Sequence, residues 1–177
     1  EIEQQEQNIT VEENSDTAFP VTVTDALGKE ITLEEAPDRI VSLTPSNTEI
    51  LFGLGLDEEV VGVNDNDNYP EQVAEKTRIG GIEYNIETII SLQPDVVFAH
   101  ESSMFTFESA IEQLEASGVT VFVVDNAETF DETYETIEVI GTLTGKDEEA
   151  DKIIASIQSK LADIQAKLQG VSPKTAF

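Results

Sequence analysis

The sequence predicts an α/β fold: a three-layer lobe built on a short parallel sheet, with a β-hairpin at its entrance and a long C-terminal helix. Four short apolar segments have the composition of strands buried on both faces: 40–43, 60–63, 96–99 and 119–124. Segments with helical periodicity separate these strands. Alternating strands and helices are typical of a parallel sheet covered by helices.

Local patterns place the first elements. Residues 20–33 alternate apolar and polar side chains around Ala26-Leu27-Gly28, which predicts the β-hairpin. After the first parallel strand, Ser46-Asn47-Thr48-Glu49 satisfies the capping-box pattern. We therefore expect the Ser46 side chain to accept from the Glu49 amide at the start of a helix.

The other helices follow from three- and four-residue spacing of apolar side chains. Helices are predicted at 86–92, 105–117, 131–143 and 147–169. At 1.5 Å per residue the last of them would be about 35 Å long.

The charge of the chain limits its partners. Its 177 residues include 37 Asp and Glu against nine Lys and Arg, which gives a net charge of −28. Such a polyanion does not bind nucleic acid or an anionic membrane surface through its own charge. Because salt screens the repulsion, we expect a salt- or alkali-tolerant bacterial source. Cysteine is absent from the sequence, which excludes disulfides and thiolate metal sites.

Polar loops follow three of the predicted strands, at 44–47, 64–69 and 99–104. Because the carboxyl ends of parallel strands lie at one end of a sheet, these loops should converge there. Their Ser, Asn, Asp, Tyr and His side chains suggest binding more than catalysis. The run from Asn64 to Asn68 lacks the Gly and Glu of an EF-hand loop, so we expect a solvated turn there.

The sequence contains few features that indicate a catalytic function. His100 is the only histidine, and neither an HExxH motif nor a Ser/His/Asp order stands out. Gly80-Gly81 belongs to no phosphate-binding glycine motif and predicts a tight turn. We therefore expect no enzymatic activity, no cofactor and no resident metal.

Three motifs carry a resemblance to a known family. In this order, SLTPSNTEILFGLGL, VVGVNDNDNYPE and NIETIISLQPDVVFAH resemble the N-terminal lobe of substrate-binding proteins of ABC importers. The most similar branch serves cobalamin, ferric siderophores and haem. The resemblance implies two lobes joined by a rigid helix, which capture a metal chelate outside the cell and deliver it to an ABC permease.

The resemblance also divides the chain. Residues 1–18 are acidic and predicted to be a disordered tether; in the family this linker follows a lipid-modified cysteine on the outer face of the membrane. Residues 19–130 would form the N-terminal ligand-binding lobe. Residues 131–170 would form a helical segment that contains the helix between the lobes, and residues 171–177 look like the start of a truncated second lobe.

Ligand-binding residues are implied by the same resemblance. Asn66, Gly81 and His100 occupy positions where cobalamin receptors carry aromatic side chains, and Ser46 matches a cleft-lining position. Ile82 stands where haem receptors carry a methionine. These differences leave a ferric siderophore or another iron(III) complex as the expected ligand, with cobalamin as the other candidate. The predicted ligand-binding residues are Ser46, Asn47, Asn66, Tyr69, Gly81 and His100.

Glu87 is the predicted docking residue. It falls in the first turn of a helix, where the helix dipole favours a carboxylate. In the family, the acidic residue of this Asn-x-Glu motif lies on the outer surface and docks onto arginines of the permease. A carboxylate can stabilise the start of the helix and also dock onto a permease arginine, so the two roles of Glu87 are compatible.

Two other classes of protein remain open at this point. One is a fragment of a chelatase- or nitrogenase-like enzyme of similar fold, and the other is a surface interaction module without a small ligand. A further expectation concerns the last helix, which would expose an apolar stripe when the second lobe is missing. Self-association of the isolated lobe through that stripe is therefore expected, through Ile157, Leu161, Ile164 and Leu168.

Overall fold

The computed structural model describes residues 18–169, apart from the side chains at 105 and 106. The chain opens with an antiparallel hairpin of β1 (Val21–Thr24) and β2 (Glu30–Leu33), as predicted. Asp25 Oδ1 closes its turn by accepting from the Leu27 and Lys29 amides at 2.9 and 2.8 Å. The predicted second-lobe strand lies outside the described residues, as does the predicted tether except for its last residue.

The centre of the fold is a five-stranded sheet in which every pair of neighbours is parallel. Its strands lie side by side in the order β5-β4-β3-β6-β7. Their bounds are β3 Ile40–Ser42, β4 Val60–Val63, β5 Thr77–Arg78, β6 Val96–His100 and β7 Val121–Val124. Four of these strands were predicted from their apolar composition.

Five α-helices cover the sheet: α1 Pro45–Gly53, α2 Ile86–Ser91, α3 Met104–Ala116, α4 Phe130–Thr144 and α5 Asp147–Leu168. Successive side chains of a strand point to opposite faces of the sheet, and two separate cores result. Phe98 packs in one core with residues of α1, α4 and α5. Val97 packs in the other with residues of α2 and α3. The predicted three-layer arrangement is confirmed.

Residues 131–169, the described part of the predicted helical segment, share the core of the lobe. Ile137 and Ile140 of α4 and Ile154 of α5 lie in the same buried cluster as strand residues such as Ile40. Toward its end, α5 leaves the lobe, and Leu168 is 56% exposed. Among the described helices, none has the length and apolar composition needed to cross a membrane.

The start of α1 corrects one prediction. The helix begins at Pro45 with Thr44 as N-cap, and no side chain caps it. Proline is well suited to the first helical position because its φ is already helical and it has no amide to satisfy. Ser46 therefore lies inside the first turn. A capping box is present in α4 instead, between Thr129 and Glu132.

Candidate functional site

All five parallel strands end at the same end of the sheet, and we call the loops there the rim. The rim comprises residues 43–46, 64–70, 79–85, 100–103 and 125–129. The strand order places the loops after β4 and β5 on one side of the loop after β3, and those after β6 and β7 on the other. The strands that follow β3 are added first on its β4 side and then on its β6 side. The point between β3 and β6 where this order reverses is where open α/β sheets usually bind ligands.

The junction between β3 and β6 is fixed by a buried side chain. Asn47 is fully buried, and its Nδ2 donates to the carbonyl of Ala99 at 2.9 Å. This bond holds the first turn of α1, which contains the exposed Ser46, beside the end of β6, where the half-buried His100 lies. Asn47 thus supports the rim from beneath, and its direct contact with a ligand stays a prediction.

His100 presents one ring nitrogen for recognition. Its Nδ1 accepts from the Ser102 amide at 3.2 Å and lies 2.8 Å from Ser102 Oγ. Burial lowers the pKa of the imidazole, against the opposing effect of the Glu101 and Asp125 carboxylates. Because Nδ1 accepts, the neutral ring carries its proton on Nε2. His100 can therefore donate one hydrogen bond to a ligand acceptor.

Asn66 and Gly81 lie together on the β4–β5 side of the rim. A Cβ at position 81 would lie 3.1 Å from Asn66 Nδ2 and 3.4 Å from Asn64 Oδ1. Asn64 Oδ1 in turn accepts from the Asn66 backbone amide and side-chain amide at 2.9 and 3.0 Å. A side chain at position 81 would therefore crowd the Asn66 side chain, which would have to shift slightly.

The loop after β4 forms the predicted turn, with Asp65, Asn66 and Asn68 exposed, but two of its residues are buried. Asn64 and Asp67 are 4% and 3% exposed. Asp67 Oδ2 accepts from the Asn64 amide at 3.0 Å and lies 2.8 Å from Thr48 Oγ1 of α1. Arg78 Nη1 donates to the carbonyls of Asn64 and Asp67 at 2.7 and 3.0 Å. Burial raises the pKa of the Asp67 carboxyl, and the hydrogen bonds from Thr48 and Asn64, together with the Arg78 charge, oppose the rise only in part.

Tyr84 is a rim residue that the sequence analysis missed. Its hydroxyl donates to the carbonyl of Leu43 at 2.8 Å, and its ring lies 4.3 Å from that of Phe107 in α3. Burial raises the pKa of the Tyr84 phenol to about 12, so the hydroxyl stays a donor at neutral pH. The structure thus joins the loops after β3 and β5 through one aromatic side chain.

Tyr69 lies in the rim loop after β4 and borders α1. Its side chain is 65% exposed and borders a groove of about 260 Å³ on the outer flank of α1. The other lining residues of this groove are Glu49, Phe52, Gly53, Asp57, Pro70 and Gln72. A contact between Tyr69 and a ligand held at Ser46 and His100 therefore stays a prediction.

Glu87 lies in the first turn of α2, as predicted, and is exposed. The helix is capped by Asn85, whose Oδ1 accepts from the Thr88 amide at 3.0 Å. Because Asn85 caps the helix, capping does not require the Glu87 carboxylate, which can bind a partner protein.

A cavity of about 400 Å³ lies beside β7, between the hairpin and α4. Its acidic lining includes Glu132, which accepts from the Glu128 and Thr129 amides as part of the α4 capping box. These bonds lower the pKa of the Glu132 carboxyl. Within residues 18–169, no group of three or more His, Cys, Asp or Glu side chains is arranged to hold a metal ion.

Comparison with known proteins shows to which family this lobe belongs. The sequence profile of the periplasmic binding protein family matches residues 40–177. The chain belongs to this family. The expected resemblance is confirmed.

The relatives are longer than this chain. It is 47% identical over 154 residues to the uncharacterised ABC transporter substrate-binding lipoprotein YvrC of Bacillus subtilis, covering 87% of this chain and 49% of that protein. It is 33% identical over 150 residues to a cobalamin-binding protein of Halobacterium salinarum, covering 83% and 40%. A crystal structure of a possible iron-binding, periplasmic solute-binding protein from Staphylococcus epidermidis superposes with a TM-score of 0.73 at 35% identity, covering 80% and 54%. The chain thus spans about half the length of these relatives.

Proposed function

We propose that this chain is the N-terminal lobe of an extracytoplasmic receptor that captures a metal chelate for an ABC importer. Membership of the periplasmic binding protein family and the similarity to an ABC substrate-binding lipoprotein support this role. The observation that carries the proposal is the rim itself. Ser46, Asn66, Gly81 and His100 lie at or just beyond the carboxyl ends of the parallel strands, where they would form one half of a cleft.

The proposed ligand is a ferric siderophore or another iron(III) complex, and cobalamin is the second candidate. The rim presents amide, hydroxyl and imidazole groups at Asn66, Ser46 and His100, which suit the oxygen-rich surface of an iron chelate. A side chain at position 81 would place its Cβ 3.1 Å from Asn66 Nδ2, so Asn66 would have to shift slightly to admit it. The cobalamin-binding relative in Halobacterium salinarum keeps cobalamin as a candidate.

In the proposed mechanism, the ligand binds between two lobes and no covalent step occurs. The second lobe would cover the rim, because a small ligand usually buries most of its surface on binding. The long helix α5 would join the lobes and limit their relative motion. Glu87 would then pair with arginines of the permease, and a lipid anchor preceding residue 1 would keep the receptor at the outer face of the membrane.

The proposal is tested on the receptor that carries both lobes. Isothermal titration with a ferric hydroxamate, cyanocobalamin and haem would compare the candidate chelates directly. We expect binding of the ferric hydroxamate or of cyanocobalamin, weakened on the order of tenfold by Ser46→Ala or His100→Ala if each removes one hydrogen bond. The matched control is Ser117→Ala, an exposed serine after α3 and away from the rim. Failure of every chelate to bind would refute the proposed ligand class.

A further inference from the structure

The orientation of the Asn64 side-chain amide is fixed by the backbone at the end of β3. Asn64 is buried, and its Nδ2 donates to the carbonyl of Leu43 at 2.7 Å. A carbonyl oxygen can only accept, so the group that faces Leu43 must be the nitrogen of the amide. Asn64 Oδ1 therefore lies on the other side, where it accepts from the Asn66 backbone amide at 2.9 Å.

Asn64 in turn orients the side chain of Asn66, which is exposed on the rim. Asn66 Nδ2 donates to Asn64 Oδ1 at 3.0 Å. Because Asn64 Oδ1 cannot donate, the Asn66 amide cannot turn over without losing this bond. Within the described part of the chain, nothing donates to Asn66 Oδ1. At this point the rim offers a hydrogen-bond acceptor with a fixed position.

His100 offers the complementary group on the other side of β3. Because its Nδ1 accepts from the Ser102 amide at 3.2 Å, the neutral ring donates through Nε2. His100 ends β6, Asn66 follows β4, and β3 lies between these two strands. Neighbouring strands are about 4.8 Å apart, so β4 and β6 are about 10 Å apart. A ligand that contacts both residues needs a donor and an acceptor at separate points of one face.

The rim has no cationic side chain for an anionic ligand. Its five loops contain no Lys or Arg, and the guanidinium of Arg78 donates to backbone carbonyls of the loop after β4. The exposed carboxylates of Asp65 and Glu101 directly neighbour Asn66 and His100 in the sequence. Because these carboxylates would repel an anion, the rim favours an uncharged ligand.

We propose that the rim selects an uncharged chelate with amide groups at its periphery, and that Asn64 is a positioning residue for this selection. A ligand N–H donates to Asn66 Oδ1, and a ligand carbonyl accepts from His100 Nε2. An amide supplies both groups. A carboxylate or an ester supplies only acceptors and leaves Asn66 Oδ1 unpaired once water is excluded. The inference rests on the proposed function and narrows its ligand class to uncharged, amide-bearing chelates.

Chelates that differ only in their peripheral groups test this selection on the receptor with both lobes. Three corrins form one series: dicyanocobyrinic acid heptaamide, the heptamethyl ester and the free acid. Two iron(III) complexes form the other: the tris-acetohydroxamate, which carries N–H groups, and the tris-N-methylacetohydroxamate, which carries none. In the series that binds, isothermal titration should show the form without N–H binding on the order of tenfold more weakly. The free acid should bind more weakly than the ester.

Two variants test whether Asn64 and Asn66 set the preference. Asn66→Ala, at an exposed position, should abolish the preference for the form with N–H groups. Asn64→Ala, once urea denaturation has shown that it folds, frees the Asn66 amide to turn over and should also abolish the preference. A purely structural role of Asn64 would instead weaken both forms alike. The matched control is Gln113→Ala, which removes an exposed amide side chain from α3 and should keep the preference.

The outcomes separate this inference from the proposed function. Equal binding of the forms with and without N–H groups, or stronger binding of the free acid or of haem, overturns the inference alone. A preference that survives Asn66→Ala overturns it as well. A wild-type receptor that binds no chelate of either series, no ferric hydroxamate, no cyanocobalamin and no haem overturns the proposed function with it.

Discussion

The hydroxyl of Thr48 lies 2.8 Å from Asp67 Oδ2, and both residues are buried. Through this contact the first half of α1 holds the loop after β4, which carries Asn66. The rim is therefore supported by a polar network beneath it as well as by the sheet. A network of this kind orients the exposed side chains before any ligand arrives.

Removing the Thr48 hydroxyl should destabilise the lobe. Thr48→Val keeps the shape of the side chain but leaves Asp67 Oδ2 with one donor fewer in a buried site. We expect the free energy of unfolding to fall by about 1–3 kcal/mol, measured by urea denaturation. The control is Thr32→Val in the hairpin, whose Oγ1 lies 2.8 Å from Thr22 Oγ1 at an exposed position, with an effect within about 0.5 kcal/mol. Equal effects of the two substitutions would contradict this account.

Asp67 should make stability depend on pH. Burial raises the pKa of its carboxyl, so the folded chain holds this proton more tightly than the unfolded chain does. The contribution to stability is fully present below the ordinary aspartate pKa of about 3.9 and is lost as pH rises through the raised folded-state value.

Asp67→Asn removes this titration. The free energy of unfolding of the wild type minus that of the variant should therefore fall as pH rises from about 4, by up to about 1.4 kcal/mol per pH unit. Urea denaturation of both proteins across this range measures the difference. A difference that stays constant or increases with pH would show that the Asp67 pKa is not raised.

The single histidine allows a direct test of the imidazole that we propose faces the ligand. Because burial lowers the pKa of His100, its titration midpoint in an NMR experiment should lie below the ordinary value of about 6.5. Nitrogen-15 shifts above the midpoint should show the proton on Nε2, since Nδ1 accepts from the Ser102 amide. A proton on Nδ1, or a midpoint above that of a free histidine, would contradict the geometry of the site.

Glu87 should affect docking and not folding. Its position in the first turn of α2 contributes only about 0.3–1 kcal/mol to stability, so Glu87→Ala should fold normally. If the carboxylate pairs with a buried permease arginine, the variant should weaken the receptor–permease complex by about 2–5 kcal/mol. Glu112→Ala, an exposed glutamate of α3, is the control. Loss of chelate binding with intact docking would instead place Glu87 in the cleft.

Much of the fold could be predicted because its central strands are buried on both faces. Ile40 and Val97, for example, are fully buried, and such strands appear in a sequence as short apolar runs. The strand β5 has no such run: its two residues, Thr77 and Arg78, are both exposed, and it forms only because β4 offers a free edge. The order of the strands in the sheet depends on tertiary contacts, and the spacing of apolar residues in the sequence does not reveal it.

The site was predicted less completely for a related reason. Asn64 and Asp67 belong to a polar run that is solvated in most proteins, and only the folded chain brings Thr48 and Arg78 to its buried side. Tyr84 was missed because its role depends on the carbonyl of Leu43, 41 positions earlier in the sequence. Polar residues in loops can be located from sequence, but their burial depends on contacts distant in the chain.

The end of α5 should promote self-association of the 177-residue chain. Ile164 and Leu168 are 52% and 56% exposed, whereas Ile157 and Leu161, predicted in the same stripe, are half-buried. In about 1 M salt, where the repulsion between these acidic chains is screened within about 3 Å, sedimentation velocity should show concentration-dependent dimers. The double variant Ile164→Glu with Leu168→Glu should be monomeric. The control variant Ser159→Glu with Ala166→Glu adds the same charge on the opposite face of α5 and should still dimerise. A wild-type chain that stays monomeric at high concentration would refute the prediction.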